Sequence, residues 1–176
     1  MPPRLPPLEP PYPDDAAAEL AKLAPIALFR ALAHNPRVLG RVRRGGLLDP
    51  GAISLRDREL VILRTCAQCG TEYEWGVHVA GFARAAGLTR AELAATITGD
   101  LATLSDADRP LLELCDALHR TATVDDALWT RLAAHRAPDQ LVELLALAGQ
   151  YHAIAYLANG LAIAVEPGAP RFADYV

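Results

Sequence analysis

The chain has 176 residues, enough for one domain with a substantial core. Its apolar fraction of 52% and charged fraction of 22% are typical of globular proteins. The net charge of −4 gives no electrostatic basis for binding nucleic acid, so we expect no nucleic-acid partner.

The first thirteen residues are rich in proline and lack the apolar core of a signal peptide. We expect residues 1–13 to form an extended arm that is either disordered or wrapped around a neighbouring subunit. Residues 14–176 are expected to form a single domain. Because the three cysteines come without a secretion signal, the sequence predicts a cytoplasmic protein with reduced thiols.

Turn and capping signals divide the rest of the chain into helices. Asp14 or Asp15 is expected to cap the first helix, Asn35 with Pro36 opens the third, and Ser54 caps the fourth. No segment has the alternation of a strand, so we predict an all-α fold with short connections. The predicted helices cover residues 14–23, 25–34, a segment from 36, 54–69, 71–86, 89–98, 106–121, 124–136 and 138–164.

The most apolar segment, residues 141–165, belongs to the last of these helices. It is interrupted by Glu143, Gln150, His152 and Asn159. Those polar residues favour a buried core helix over a membrane span, so no membrane partner is expected.

Residues 66–78, CAQCGTEYEWGVH, concentrate side chains that carry proton and electron chemistry. On a helix that begins at Thr71, the side chains of Thr71, Glu74 and His78 fall within about 60° of one another. The free N–H groups of that helix N-terminus would stabilise a carboxylate or an enolate. Thr71 and Glu74 also match a capping box, which is the structural alternative for both residues.

The preceding helix contributes a second line of candidates. Glu59 and Cys66 are seven residues apart and about 20° out of register, with Cys69 within reach on the same side. Ile62 and Leu63 flank this face, so Glu59 is predicted to lie in apolar surroundings that suit proton transfer.

Two motifs in these helices resemble the carboxymuconolactone decarboxylase and alkylhydroperoxidase D superfamily. They are Arg58-Glu59-Leu60 and the sequence EYEWGVH at residues 72–78, and the resemblance covers about residues 50–100. It implies a compact multi-helix bundle of the alkylhydroperoxidase D-like type and a small-molecule substrate. It also implies a homo-oligomer, a dimer, trimer or hexamer, with sites near the subunit interfaces.

The peroxidase branch of that superfamily carries Cys-x-x-Cys-x-x-x-His with a glutamate twelve residues before the first cysteine. Counting back from His78 puts Glu74 and Thr71 at the two cysteine positions and Glu59 at the glutamate position. The chain's own pair, Cys66 and Cys69, lies five residues too early. The resemblance therefore implies that the acid–base groups are kept and the redox pair is replaced, as in the decarboxylase branch.

We accordingly expect a cofactor-independent, decarboxylase-like lyase acting on a small organic acid or lactone. His78 would transfer the proton, Glu59 would orient or reprotonate it, and Glu74 would assist. No metal site is expected, because the chain has one Cys-x-x-Cys and no second ligand pair at a suitable spacing. The residues expected to bind substrate are Thr71, Tyr73, Trp75, Tyr151 and His152.

Two other functions are compatible with the same residues. The first is a thiol-dependent alkyl hydroperoxide reductase or disulfide reductase that uses Cys66 and Cys69, although an i, i+3 pair in a helix fits a disulfide poorly. The second is a non-catalytic oligomeric binding module that keeps only the fold. In that case His78 would be a core histidine and the two cysteines would be apolar filler.

Overall fold

The computed structural model describes residues 2–176, and its regular structure in that range is entirely helical. The all-α prediction is therefore confirmed, although several helices are shorter than predicted because their ends continue as turns. Met1, which the sequence assigns to the arm, lies outside the described residues. The helices are α1 Asp14–Leu20, α2 Ala27–Leu32, α3 Pro36–Gly45, α4 Leu55–Gln68, α5 Glu72–Phe82, α6 Arg90–Thr98, α7 Arg109–Thr121, α8 Asp126–Ala133 and α9 Pro138–Leu161, followed by a short 3₁₀ helix at Phe172–Asp174.

Local capping explains where two of the central helices begin. The Asn35 side chain accepts the N–H of Val38 at the start of α3, and the Ser54 hydroxyl accepts the N–H of Asp57 at the start of α4. The predicted cap at Asp14 or Asp15 is wrong. Pro13 occupies the cap position of α1, and both aspartates already lie inside its first turn.

Helix α4 lies at the centre of the fold and packs against α5, α6, α7 and α9. Because other helices surround it, every residue from Glu59 to Cys66 is buried. A buried charge needs a partner. Arg64 has Asp116 at 2.7 Å and also donates to two carbonyl groups at the end of α6. The environment of Glu59, the other charged residue of this run, forms the candidate site described below.

Helix α9 packs against α4, α5 and α8. Its inner face, which includes Leu144, Leu147 and Tyr151, is buried, whereas Val142 and Tyr156 on its outer face are exposed. By length and mean hydropathy, which is 1.3, α9 could also cross a membrane. Its packing inside the helical bundle is that of a core helix, as the polar interruptions indicate.

The described part of the N-terminal arm, residues 2–13, lies on its own chain. The N–H of Leu8 donates to the carbonyl of Arg30 at 3.1 Å, and the N–H of Arg4 donates to the carbonyl of Leu161 at 2.9 Å. The arm therefore runs beside α2 and the end of α9 of its own chain.

The C-terminal segment returns across α5 and covers its outer side. Trp75 makes edge-to-face contacts with Phe172 at 5.3 Å and with Tyr175 at 5.2 Å. At Gly76 a Cβ atom would lie 2.5 Å from the carbonyl oxygen of Pro170, so this close approach requires glycine. The segment thereby fixes α5, which carries Glu74 and His78.

Candidate functional site

His78 is the centre of a buried cluster contributed by α4, α5 and α9. Its Nδ1 atom lies 2.8 Å from Oε2 of Glu59, and its Nε2 atom lies 2.9 Å from the hydroxyl of Tyr151. Oε1 of Glu74, one turn earlier in α5, is 3.6 Å from the same Nε2 atom. The sequence predicts this grouping of Glu59, Glu74 and His78, and it includes Tyr151 among the candidates.

Arg58 holds the other oxygen of Glu59. Its Nε and Nη2 atoms both lie 2.9 Å from Oε1, and its Nη1 atom donates to the carbonyl of Leu48 at 2.8 Å. The guanidinium also stacks over the ring of Phe82 at 5.0 Å. Neighbouring residues of a helix normally point apart, which is why the sequence assigns Arg58 no role although it lies in the recognised motif.

The two carboxylates determine the charge of His78. Burial opposes the charged imidazolium, but the hydrogen bond with Glu59 and the nearby Glu74 carboxylate outweigh burial and raise the pKa of His78 to about 9. At neutral pH His78 is therefore an imidazolium with a proton on each nitrogen. Together with Arg58 the cluster then contains two positive and two negative charges, which balance.

A cavity of about 350 Å³ lies beside this cluster. Glu74 and Tyr151 line it, whereas His78 is only 2% exposed and lies beneath them. The wall is mostly apolar, and its apolar members are Leu23, Leu28, Phe29, Val42, Leu48 and Ile154. A small molecule in the cavity would therefore contact Glu74 and Tyr151 directly and His78 through them.

Arg43 and Arg44 of α3 bring positive charge to the same cavity, which Asp49 also lines. Nε of Arg43 bonds to Glu19 at 3.0 Å. Arg44 is exposed and makes no ion pair within residues 2–176. The basic face of α3, for which the sequence leaves a solvated surface and an attractor of anions both open, thus borders the cavity.

Tyr151 is protonated at neutral pH, because burial, followed by the nearby Glu74 carboxylate, raises its pKa well above the ordinary value. Its hydroxyl can accept the Nε2 proton of the imidazolium while keeping its own proton. Oε2 of Glu74 is buried and has no hydrogen-bond partner within residues 2–176. These two groups are the polar atoms that the cluster offers to a ligand.

The predicted capping box of Thr71 and Glu74 is wrong. A capping box needs the N–H of the first residue for the glutamate side chain. Here Gly70 adopts a left-handed turn with φ of 63°, and the N–H of Thr71 already donates to the carbonyl of Cys66 at 2.8 Å. Thr71 is fully buried, its hydroxyl has no hydrogen-bond partner in the described part of the chain, and it does not line the cavity. Glu74 is consequently free to approach His78.

Tyr73 and Trp75, predicted to bind substrate, do not line the cavity. The hydroxyl of Tyr73 accepts the N–H of Leu28 at 3.0 Å and donates to Glu166 at 2.9 Å. Trp75 is fully buried, and its Nε1 atom donates to Thr96 at 3.0 Å. Both side chains leave α5 on other sides than Glu74 and serve as packing residues with satisfied polar atoms.

His152 follows Tyr151 in α9 but points to a different place. It lines a second cavity, of about 610 Å³, together with Cys69 and His119. His152 is therefore separated from Tyr151, with which the sequence groups it, because consecutive helical residues diverge by about 100°.

The cysteines Cys66 and Cys69 are both thiols rather than thiolates. Cys66 is completely buried, and burial together with the nearby Glu74 carboxylate raises its pKa well above the ordinary value. Burial also raises the pKa of Cys69, which is partly exposed. Raised pKa values lower the nucleophilicity available at neutral pH.

The fold and site define an all-helical protein with a buried carboxylate–imidazole pair beside a small cavity. Residues 36–108 match the Carboxymuconolactone decarboxylase family, and this span includes Glu59, Glu74 and His78. This match and the shared fold of the structures below support the resemblance to the carboxymuconolactone decarboxylase and alkylhydroperoxidase D-like superfamily. No curated protein is significantly similar to it in sequence.

Three solved structures share the fold. An uncharacterized peroxidase-related protein from Silicibacter sp. TM1040 is 17% identical with a TM-score of 0.78, over 93% of this chain and 92% of that one. A second uncharacterized peroxidase-related protein, an alkylhydroperoxidase AhpD core from Ralstonia eutropha JMP134, is 14% identical with a TM-score of 0.69. The match covers 93% of each chain. The third is a protein of unknown function from Agrobacterium tumefaciens that is described as an AhpD-type antioxidant defence protein. It is 22% identical with a TM-score of 0.60, and the match covers 83% of this chain and 94% of that one. These likenesses establish the fold.

Proposed function

We propose that the protein is a cofactor-independent acid–base lyase that decarboxylates a small organic acid or a carboxylated lactone. The observation that carries the proposal is the position of His78, buried between Glu59 and the two cavity-lining groups Glu74 and Tyr151. An imidazolium that lies beneath a cavity and is hydrogen-bonded to a group lining it, as His78 is to Tyr151, can deliver a proton to a bound substrate.

The cavity supports a small anionic substrate. Its volume of about 350 Å³ is at the lower end of the range for ligand pockets. The apolar wall would hold a carbon skeleton, and Arg44, which makes no ion pair within residues 2–176, would attract a carboxylate. A further carboxylate near Glu74 would be repelled, so the reacting end of the substrate should carry no carboxylate other than the one that leaves as CO₂.

The chemical step breaks the bond between the substrate's carboxylate and its α-carbon. CO₂ leaves, and the electron pair of that bond becomes an enolate delocalised onto the neighbouring carbonyl. The enolate carbon then takes the hydroxyl proton of Tyr151, which regains one from the imidazolium of His78, or it takes a proton that the Glu74 carboxylate has first accepted from that imidazolium. Solvent restores the proton on His78, and the Arg58–Glu59 pair keeps the ring oriented.

This route refines the role expected for His78. Because the ring is 2% exposed, it acts on the substrate through Glu74 or Tyr151 and serves as the proton reservoir. General acid catalysis of this kind contributes roughly 10²–10⁴-fold to a rate.

The variant His78→Gln tests the proposal, with His135→Gln as the matched control because His135 is exposed and outside both clusters. CO₂ release from a panel of β-keto acids and carboxylated lactones would be measured for each protein. We expect kcat to fall by roughly 10²–10⁴-fold in His78→Gln alone. Glu59 keeps Arg58 as its partner in this variant, so circular dichroism should show an intact fold. Equal turnover by His78→Gln and the wild type would contradict the proposal.

A thiol-dependent hydroperoxide reductase is the second candidate, since two structural neighbours are described as peroxidase-related. In that reaction the thiols of Cys66 and Cys69 would be oxidised to a disulfide while the hydroperoxide is reduced to an alcohol and water. The raised pKa values of both thiols oppose it. Non-reducing mass spectrometry after a brief hydroperoxide challenge separates the candidates: a rapid, reversible disulfide with peroxide turnover would favour the reductase, and inert thiols would eliminate it.

A non-catalytic binding module is the third candidate. It predicts that ligands of the cavity bind equally well after removal of both His78 and Glu59, which calorimetry on the double variant would reveal. We also propose that the protein is a homo-oligomer in the cytoplasm. Its subunit contacts would use exposed apolar side chains such as Trp129 and Val142. Sedimentation velocity tests the assembly.

A further inference from the structure

A second cluster of chemically active side chains lies at the larger cavity, apart from the His78 site. It consists of Cys69 at the end of α4, His119 in the last turn of α7 and His152 in α9. One ligand atom from each residue lies within 4.8 Å of the other two. A thiol and two imidazoles are the ligand types that zinc prefers.

The hydrogen bonds of His152 determine which of its nitrogens is free. Its Nδ1 atom lies 2.9 Å from the carbonyl oxygen of Ala148, which can only accept, so Nδ1 carries the proton. The lone pair is then on Nε2, which faces Nδ1 of His119 at 3.2 Å. A histidine that ligates a metal typically donates its other N–H to a backbone carbonyl in this way.

The spacing of the two imidazoles is close to that of a metal centre. Tetrahedral zinc with Zn–N bonds of about 2.0–2.1 Å holds two nitrogens about 3.3–3.4 Å apart. The observed separation is 3.2 Å. A sulfur ligand at about 2.3 Å from the metal would lie roughly 3.5 Å from each nitrogen. The thiol of Cys69 lies within 4.8 Å of both nitrogens, so it needs to move by at most about 1.3 Å, which a rotation of its side chain can supply.

The surroundings hold the ligands and leave access for an ion. The side chain of Asn159 donates to the carbonyl of Cys69 at 2.8 Å and so fixes the backbone of the cysteine. His119 is exposed, and the cavity of about 610 Å³ opens beside it. Arg120 lines the same cavity and would oppose a cation, but a thiolate ligand supplies compensating negative charge.

We propose that Cys69, His119 and His152 form a zinc site whose fourth position is open to water from the cavity. When Zn²⁺ binds, the Cys69 S–H bond breaks, its proton goes to solvent, and an Sγ–Zn bond forms. His152 binds through Nε2. His119 binds through Nδ1, and its ring proton moves to Nε2, which faces solvent. This site involves no residue of the proposed acid–base cluster.

The site revises the expectation of no metal. That expectation rests on local ligand spacing, and here the three ligands come from three different helices. His119 and His152 are 33 residues apart, and Cys69 is a further 50 residues before His119. Only the packing of α4, α7 and α9 brings them together.

Titration of the reduced, metal-free chain with Co²⁺, followed by displacement with Zn²⁺, tests the proposal. Tetrahedral Co²⁺ gives visible d–d bands, and a Co–thiolate bond adds a near-ultraviolet charge-transfer band. We expect both at one Co²⁺ per chain, and loss of both on adding Zn²⁺.

Three variants and a control identify the ligands. Cys69→Ser should lose the charge-transfer band, and His119→Ala and His152→Ala should each lower the affinity by at least about tenfold. His135→Ala, which removes an exposed imidazole outside the cluster, should bind as the wild type does. His119 is exposed, so its variant should fold normally even if His152→Ala does not. Bands that survive in Cys69→Ser and His119→Ala, or their absence from the wild type, would overturn the proposal.

Discussion

Tyr151 and His152 are consecutive residues of α9, yet they belong to two clusters with opposite properties. Tyr151 joins a cluster in which His78 is buried between carboxylates and is held in its charged form. His152 joins a cluster without a carboxylate, open to a large cavity, where one imidazole lone pair faces a second imidazole and a thiol.

The comparison shows that the partners of an imidazole decide its chemistry. Carboxylates on both sides of His78 keep a proton on each nitrogen, so this histidine can supply protons but has no lone pair for a metal. A backbone carbonyl behind His152 holds the single proton at Nδ1 and leaves Nε2 free, which suits a metal and not an acid. The predictions below test this difference, beginning with the largest expected effect.

Removing the carboxylate of Glu59 should damage the buried cluster most. In Glu59→Ala, the guanidinium of Arg58 loses its ion-pair partner in a site where that side chain is 11% exposed. We expect the free energy of unfolding, measured with urea, to fall by about 3–5 kcal/mol.

The control for this prediction is Glu9→Ala, which breaks an ion pair with Arg30 in which the glutamate side chain is 71% exposed. It should cost no more than about 1 kcal/mol. Equal losses of unfolding free energy in the two variants would show that the buried ion pair of Glu59 contributes no more to stability than the exposed pair of Glu9.

The raised pKa of His78 makes stability depend on pH. The folded-state value of about 9 lies above the ordinary value of 6.5, so the folded state binds the proton more tightly than the unfolded chain does. The resulting stabilisation is fully present below about pH 6.5 and is lost as the pH rises through about 9. Urea unfolding of the wild type across this window should reveal a decline that is smaller in His78→Gln. Parallel curves for the two proteins would contradict the assignment of the charge to His78.

The hydroxyl of Tyr151 should have an intermediate effect. Tyr151→Phe removes the hydrogen bond to Nε2 of His78, and a net cost of about 0.5–1.5 kcal/mol in stability is expected. If the hydroxyl stabilises the transition state by a comparable free energy, its removal would lower kcat about tenfold. Tyr156→Phe, whose ring is 71% exposed on the other side of α9, is the matched control and should change neither quantity. Identical behaviour of the two variants would remove Tyr151 from the proton route.

The fold and the centre of the candidate site could be predicted from the sequence because their signals are local. Capping at Asn35 and Ser54 and the apolar periodicity define the helices, and the spacing of Glu59, Glu74 and His78 matches a recognised motif. The meeting of Glu59 with His78 across two helices follows from that motif.

The failures of the sequence analysis concern residues whose environment depends on distant segments. Trp75 is covered by the C-terminal segment, about a hundred residues later, so its burial could not be read from its own helix. Glu74 does not cap its own helix because the turn at Gly70 directs the N–H of Thr71 to the carbonyl of Cys66. The gathering of His119 and His152 beside the end of α4 depends on tertiary packing alone.

The smallest effect is expected where the second cluster loses an imidazole in the absence of metal. His119 is exposed and has no carboxylate partner within residues 2–176, so His119→Ala should change the unfolding free energy by no more than about 0.5 kcal/mol. With Zn²⁺ at about a hundred times the dissociation constant, the wild type should gain about 2.7 kcal/mol and this variant much less, because the ion binds the folded state through that ring. A large loss of unfolding free energy in metal-free His119→Ala would mean that the second cluster is a structural contact and not a metal site. Tyr151 and His152 would then differ only in how deeply their clusters are buried.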